Sequence, residues 1–328
     1  MIDVLSLPFM QRALIAALLS GLIAPAIGVH IVNRRMSLLG DGLGHVAIMG
    51  VGLAMLTNTA PLPMAVLVCV VGAVGVELLR QTGKASGDLA LAILFYGGLA
   101  AGVMMAGIAG QGAAGLSAFL FGSLTSISTS DLWLIAGLAI VVLALTIGLA
   151  PRLFAISADE DHARVQGIRV RALNILVVVL AAVTVTVSMR TVGLLLISAL
   201  MVIPVATAQQ AFVGFRATFF GAMGIGAVAA LTGTVGSFYL DTATGATIVV
   251  VSILLLGLAW AFGRQLRRVD RFIPYVPDHG HADAHVEAHP ALQDDEHQHQ
   301  RVIQHGDHLD YVHHGHRHAK HGDHYDEH

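Results

Sequence analysis

Apolar residues run along this chain in long, nearly unbroken blocks, unlike the one-sided stripe of a surface helix or the alternation of a half-buried strand. A helix needs about 20 mostly apolar residues to cross a hydrocarbon layer, where each backbone N–H and C=O must be satisfied internally. Blocks of this kind occur at roughly 13–32, 43–57, 62–79, 89–109, 131–150, 172–189, 192–210, 218–239 and 244–262. The block 192–210 contains Pro204 and several others are short or rich in glycine. Some are therefore expected as half-helices or re-entrant segments shielded by neighbouring protein. The predicted fold is an all-α polytopic membrane protein with about nine transmembrane helices. Arg12 and the small residues Ala24-Pro25-Ala26 echo a cleaved leader. The first block is too long for one, and further spans follow it.

Composition supports the bilayer. Of 328 residues, 55% are hydrophobic and only 12% are Asp, Glu, Lys or Arg, against roughly a quarter in water-soluble domains. The 36 glycines suit helices that associate by close approach in lipid. A lone Cys69 excludes a disulfide framework.

Charge divides the chain. Residues 1–271 hold 15 Lys/Arg against 10 Asp/Glu, whereas residues 272–328 hold 3 against 11 and 15 of the 18 histidines. The first segment is a transmembrane domain; the second has almost nothing to bury and is expected to be a disordered, histidine-rich tail. Nine spans put the termini on opposite sides. With the N-terminus outside, Arg34, Arg35, Arg80, Lys84, Arg152, Arg164, Arg169, Arg171, Arg216 and the arginines 264–271 face the cytoplasm, leaving Arg12 and Arg190 outside. The excess of basic residues inside selects this orientation, with a cytoplasmic tail.

Ionisable side chains inside lipid are costly, which makes each a functional candidate. Asp41 and His45 stand near the start of the second span, and the i, i+4 spacing puts them on one helical face. A carboxylate and an imidazole together suit Zn²⁺, Mn²⁺ or Fe²⁺. The competing reading is an Asp–His hydrogen bond that satisfies both groups in a packed interior. Two ligands make an incomplete site, and His30, Asn33 and Asp241 could supply others, though no spacing supports them. Glu77 and Asp88 read as interfacial charges. Gly40-x-x-x-Gly44 and Gly98-x-x-x-Gly102 read as helix-packing motifs.

Between the fifth and sixth spans lies a polar loop, 152–171. Ser157 is a potential N-cap, Asp159, Glu160 and Asp161 suit a helix N-terminus, and Gly167 suits a helix stop. A short helix follows over about 158–167. In the tail, His279, His281, His285, His289, His297, His299, His305, His308, His313, His314, His316, His318, His321, His324 and His328 are interspersed with acids. Such tracts bind transition metals, here without fixed geometry, as a buffer, sensor or delivery segment. The mixture does not resemble a purification tag.

No phosphate loop is present, because Gly83-Lys84 is followed by Ala85. No His-Glu-x-x-His occurs, and the juxtamembrane basic residues do not suit nucleic acid.

Several motifs resemble those of the zinc/manganese/iron-type ABC transporter permease family. They are Arg34-Arg-Met-Ser-Leu-Leu-Gly-Asp41-Gly-Leu-Gly-His45, Leu120-Phe-Gly-Ser123, Ala158-Asp-Glu-Asp-His-Ala163-Arg-Val-Gln-Gly167, and Ser237-Phe-Tyr-Leu-Asp241 with Gly245. The resemblance covers about residues 1–270 and leaves out the tail. It implies a fold similar to vitamin B12-type importer permeases, with a partial helix within 112–127. It also implies a permease homodimer in a bacterial plasma membrane, a separate cytoplasmic ABC ATPase and an extracytoplasmic metal-binding protein. Asp41 and His45 would contact metal in transit, with Asp241 as a further candidate. Ala158, Asp159, Glu160, Ala163 and Gly167 would belong to the helix that docks on the ATPase. No cofactor would be held permanently, a divalent transition metal being the substrate, with zinc favoured by the tail imidazoles over manganese or iron. The rival readings are an ATP-independent metal carrier and a membrane-anchored metal sensor.

Overall fold

The structure is a computed structural model, and it describes residues 7–34, 36–82, 87–110, 112–122, 127–189, 193–266 and four strands between 301 and 327. The chain divides into two compact units, Met1–Arg271 and Phe272–His328.

The described residues of the first unit form twelve helices: α1 (Pro8–Asn33), α2 (Leu39–Thr57), α3 (Pro61–Gln81), α4 (Gly87–Ile108), α5 (Gly112–Phe121), α6 (Thr129–Gly148), α7 (Ala150–Ala158), α8 (Glu160–Val165), α9 (Val170–Ser188), α10 (Leu194–Ala211), α11 (Phe215–Leu240) and α12 (Thr244–Leu266). Eight of these are long and apolar enough to span a membrane: α1, α2, α3, α4, α6, α9, α11 and α12. The remaining expected span corresponds to α10, an 18-residue helix. Pro204 stands inside that helix. The short α5 occupies the place of the expected partial helix. Large apolar side chains such as Trp133, Ile140, Leu254 and Trp260 are exposed on the outside, as a lipid-facing surface requires.

Glycines set how the helices cross. A Cβ on Gly21 of α1 would lie 2.6 Å from the carbonyl oxygen of Gly226 on α11. Phe9 meets Phe238 at 6.3 Å between ring centroids, and His30 meets Phe215 at 5.8 Å, so α11 runs antiparallel to α1. Gly28 abuts the Met201 carbonyl, and Gln209 donates to Asn33 Oδ1 at 3.4 Å, so α10 runs parallel to α1. The helix α2 returns antiparallel to α10, where Cβ atoms on Gly40 and Gly44 would come within 3.1 Å of Ser198 and Leu194. Its other side meets α4, where a Cβ on Gly98 would lie 2.7 Å from the His45 carbonyl. Both glycine motifs of the sequence therefore act as helix-packing surfaces around α2.

In the second unit, β1 (Arg301–His305), β2 (His308–His313), β3 (His316–His321) and β4 (His324–Glu327) form an antiparallel sheet in the order β1-β2-β3-β4. These strands stand within the segment expected to be disordered. The physical reason lies in spacing: successive strands are separated by the pairs Gly306-Asp307, His314-Gly315 and Gly322-Asp323. Two-residue hairpin loops favour these residue types. His279, His281, His285, His289, His297, His299, His314 and His328 lie outside the described residues.

Candidate functional site

Asp41 sits in the first turn of α2, where a carboxylate complements the positive end of the helix dipole. His45 follows one turn later and is buried. Its Nδ1 lies 2.7 Å from the main-chain oxygen of Asp41. A carbonyl oxygen only accepts, so in the neutral ring Nδ1 carries the proton and Nε2 keeps the lone pair a metal needs. Such a backbone bond fixes both the tautomer and the orientation of a metal-binding imidazole. The ring rests on Phe95 of α4, with centroids 4.0 Å apart. The Asp41 carboxylate is held from another helix: Ser198 Oγ on α10 donates to Asp41 Oδ1. The two side chains are thus tied to different partners rather than to each other, which goes against the packed Asp–His pair.

Depth follows from α10. Gln209 meets Asn33 at the C-terminal end of α1, and Ser198 stands eleven residues earlier on the same helix. At 1.5 Å per residue the pair lies about 16 Å inward from that end. Among the described residues, no group of three His, Cys, Asp or Glu gathers into a metal-sized site. Asp41 and His45 therefore offer one carboxylate and one imidazole, with the Ser198 hydroxyl beside them. That donor set can pass an ion on but is too small to trap it.

The other suggested ligands lie elsewhere. Asp241 is exposed and caps α11 in a left-handed conformation with φ 50°. It lies at the Phe9/Phe238 end of the bundle, away from the α1 C-terminus near which Asp41 sits. His30 is buried between Phe215, Phe219 and Ser157, and Asn33 is engaged by Gln209. Glu77 is buried near the end of α3 and takes two bonds of 2.9 Å from Arg80 and one from Gln81.

The polar loop forms two helices instead of one. Ser157 is inside α7, where its hydroxyl donates to the Leu153 carbonyl at 2.7 Å. The N-cap of α8 is Asp159, which accepts from the N–H groups of Asp161 at 2.9 Å and His162 at 3.0 Å. The His162 N–H leads in holding this carboxyl below its usual range, with the Asp161 N–H adding to it. Gly167, at φ 78°, ends the helix. The bonds Gly167 N–H to Arg164 O and Ile168 N–H to Ala163 O, both 3.1 Å, complete a Schellman motif.

The first residue of α8 ties this loop to the bundle. Glu160 Oε1 accepts from Arg34 at the end of α1 and from Asn174 of α9, the latter at 3.2 Å. It also attracts Arg80 at the end of α3. Ala163 is fully buried, whereas Val165 is 88% exposed. The helix is therefore anchored on one side and open on the other. Ala158 is the last residue of α7 and contributes no cap.

Ser198, Phe95 and Asn174 were not singled out from the sequence. The first two lie on helices brought to α2 by packing, which no local spacing reports.

A model of the ABC 3 transport family matches residues 6–263. The chain is similar to the manganese transport system membrane protein MntC of Halalkalibacterium halodurans, with 32% identity over 271 residues, 82% of this chain and 92% of the relative. It is 30% identical over 251 residues to the high-affinity zinc uptake system membrane protein ZnuB of Haemophilus influenzae, covering 75% of this chain and 95% of the relative. The fold matches PsaBC from Streptococcus pneumoniae, solved in complex with a Fab, with a TM-score of 0.74 and 27% identity. That match covers 82% of this chain and 97% of the other.

Proposed function

The chain belongs to the ABC 3 transport family as the permease subunit of a metal-ion ABC importer, and we propose from this that Asp41 and His45 form the transient metal contact of an alternating-access path. The observation that carries the reading is the His45 ring. Its Nδ1 is occupied by the Asp41 carbonyl, which leaves Nε2 for an ion one turn from a carboxylate. Few other ionisable groups stand within the spans, so the pair is where a cation loses least on leaving water.

ATP is hydrolysed by a separate cytoplasmic ATPase, and an extracytoplasmic binding protein delivers the ion to a permease homodimer in the plasma membrane. The helix α8 docks on the ATPase through its open side. Movement of α8 reaches the path through the Glu160–Arg34 pair, since Arg34 precedes Asp41 by seven positions in the chain. In this reading α8 and the α1–α2 junction face the cytoplasm and the N-terminus lies outside, an orientation that the basic residues there support. Zinc is the preferred cargo on the strength of the imidazole-rich C-terminal segment.

Uptake of Zn²⁺ and Mn²⁺ into vesicles holding the permease with its ATPase tests the reading. Asp41→Asn and His45→Gln should each abolish ATP-driven uptake while the complex still assembles. Full uptake by both variants would remove the pair from the path.

A further inference from the structure

The hairpins of the second unit carry a regularity that histidine content alone does not express. From His305 the chain reads in three successive eights: His-Gly-Asp-His-Leu-Asp-Tyr-Val, His-His-Gly-His-Arg-His-Ala-Lys and His-Gly-Asp-His-Tyr-Asp-Glu-His. Each eight begins His-x-x-His-x-(Asp or His). The strand register places the two leading histidines of each eight opposite one another across a hairpin: His305 with His308, His313 with His316, and His321 with His324. The sixth residue of each eight, Asp310, His318 or Asp326, stands two positions beyond the second histidine on the same strand. Because strand residues alternate faces, it shares a face with the pair.

We propose that each of the three hairpins is a divalent transition-metal site. The first uses His305, His308 and Asp310, the second His313, His316 and His318, and the third His321, His324 and Asp326. Cross-strand partners have Cα atoms about 5 Å apart, and residues i and i+2 of a strand about 7 Å apart. The register thus brings the three residues of each set to neighbouring positions on one face of the sheet. Two imidazoles with a carboxylate, or three imidazoles, select borderline ions such as Zn²⁺ over Ca²⁺ or Mg²⁺. Three protein ligands leave a position open to water, so the ion is exchangeable rather than locked. The first and third sites share one face of the sheet and the second lies on the other, because an eight-residue step across a two-residue loop reverses the face. The sites rest on strand register and are independent of the transport reading.

The test is Zn²⁺ titration of the full-length chain in detergent against a chromophoric chelator, at neutral pH because protons compete for imidazole. The triple variant His305→Gln/His308→Gln/Asp310→Asn should lose one equivalent of bound zinc relative to the unaltered chain. His308→Gln alone should weaken one equivalent by about tenfold or more. The control His279→Gln/His285→Gln/His289→Gln removes three histidines before the strands and should leave the count unchanged. Co²⁺ should give the visible absorption of a low-coordinate site, reduced by about a third in the first variant. Equal losses from the hairpin and control variants, or no loss from the hairpin variant, would overturn the proposal in favour of binding by histidine number alone.

Discussion

Substituting adjacent glycines of α4 should have opposite consequences, and the contrast isolates the contact between α4 and the His45 backbone. A Cβ on Gly98 would lie 2.7 Å from the carbonyl carbon and oxygen of His45 and from the Val46 nitrogen. Ordinary contact begins at 3.4 Å, so the backbones of α2 and α4 must separate by about 0.7 Å. All three atoms are main-chain, so no side chain can swing aside. Overpacking of this kind costs about 1–3 kcal/mol, against which alanine returns up to about 1 kcal/mol of helix propensity. Gly97→Ala meets nothing within 4 Å and receives only the favourable part. The displacement at Gly98 also moves Phe95, one turn away on α4, from its place beneath the His45 ring. Gly98→Ala should therefore lower the melting temperature in detergent and slow ATP-driven metal uptake, while Gly97→Ala raises the first slightly and leaves the second unchanged. If the two variants melted alike and transported alike, close approach at His45 would not be what holds α4 on α2.

Two further outcomes concern α8. Glu160→Ala leaves the Arg34 guanidinium, whose side chain is only 5% exposed, without its carboxylate. The cost should fall toward the lower end of about 1–3 kcal/mol, because the Glu160 side chain is itself 35% exposed. Metal-stimulated ATP hydrolysis should drop while zinc binding to the chain persists, as measured on the reconstituted complex. Asp159→Ala should speed amide exchange at Asp161 and His162. Because the folded Asp159 carboxyl is held below its usual range, its cap is fully present above the unfolded pKa. It is lost as pH falls through the lowered folded value, so exchange in the unaltered protein should approach that of Asp159→Ala only in acid.

The spans were legible because hydrocarbon imposes a length and a composition on each one independently of its neighbours. The block containing Pro204 was also legible as unusual, and the proline stands inside α10. The polar loop was read with its helix stop right and its cap wrong. Ser157 and Asp159 are both capping residues, and the choice between them was made by α7, whose helix continues through Ser157 and turns its hydroxyl back to Leu153. Sequence spacing also found Asp41 and His45, because i, i+4 is a property of one helix. It could not find Ser198 or Phe95, which belong to α10 and α4 and arrive at the pair only when glycines let those helices close on α2.

In the second unit, low hydrophobicity argues for disorder when averaged over 57 residues, and an average does not register strands as short as β1 to β4. Two-residue loop signals at Gly306-Asp307, His314-Gly315 and Gly322-Asp323 recur every eight residues, and they were visible in the sequence. A sheet of this size has little apolar surface to bury, so hairpin geometry alone would leave it marginal. Metal at the three histidine pairs would supply the missing stabilisation, since an ion that binds only the folded form adds its binding free energy to folding. The composition that argues against a fold in the absence of metal is then the same composition that would create one in its presence.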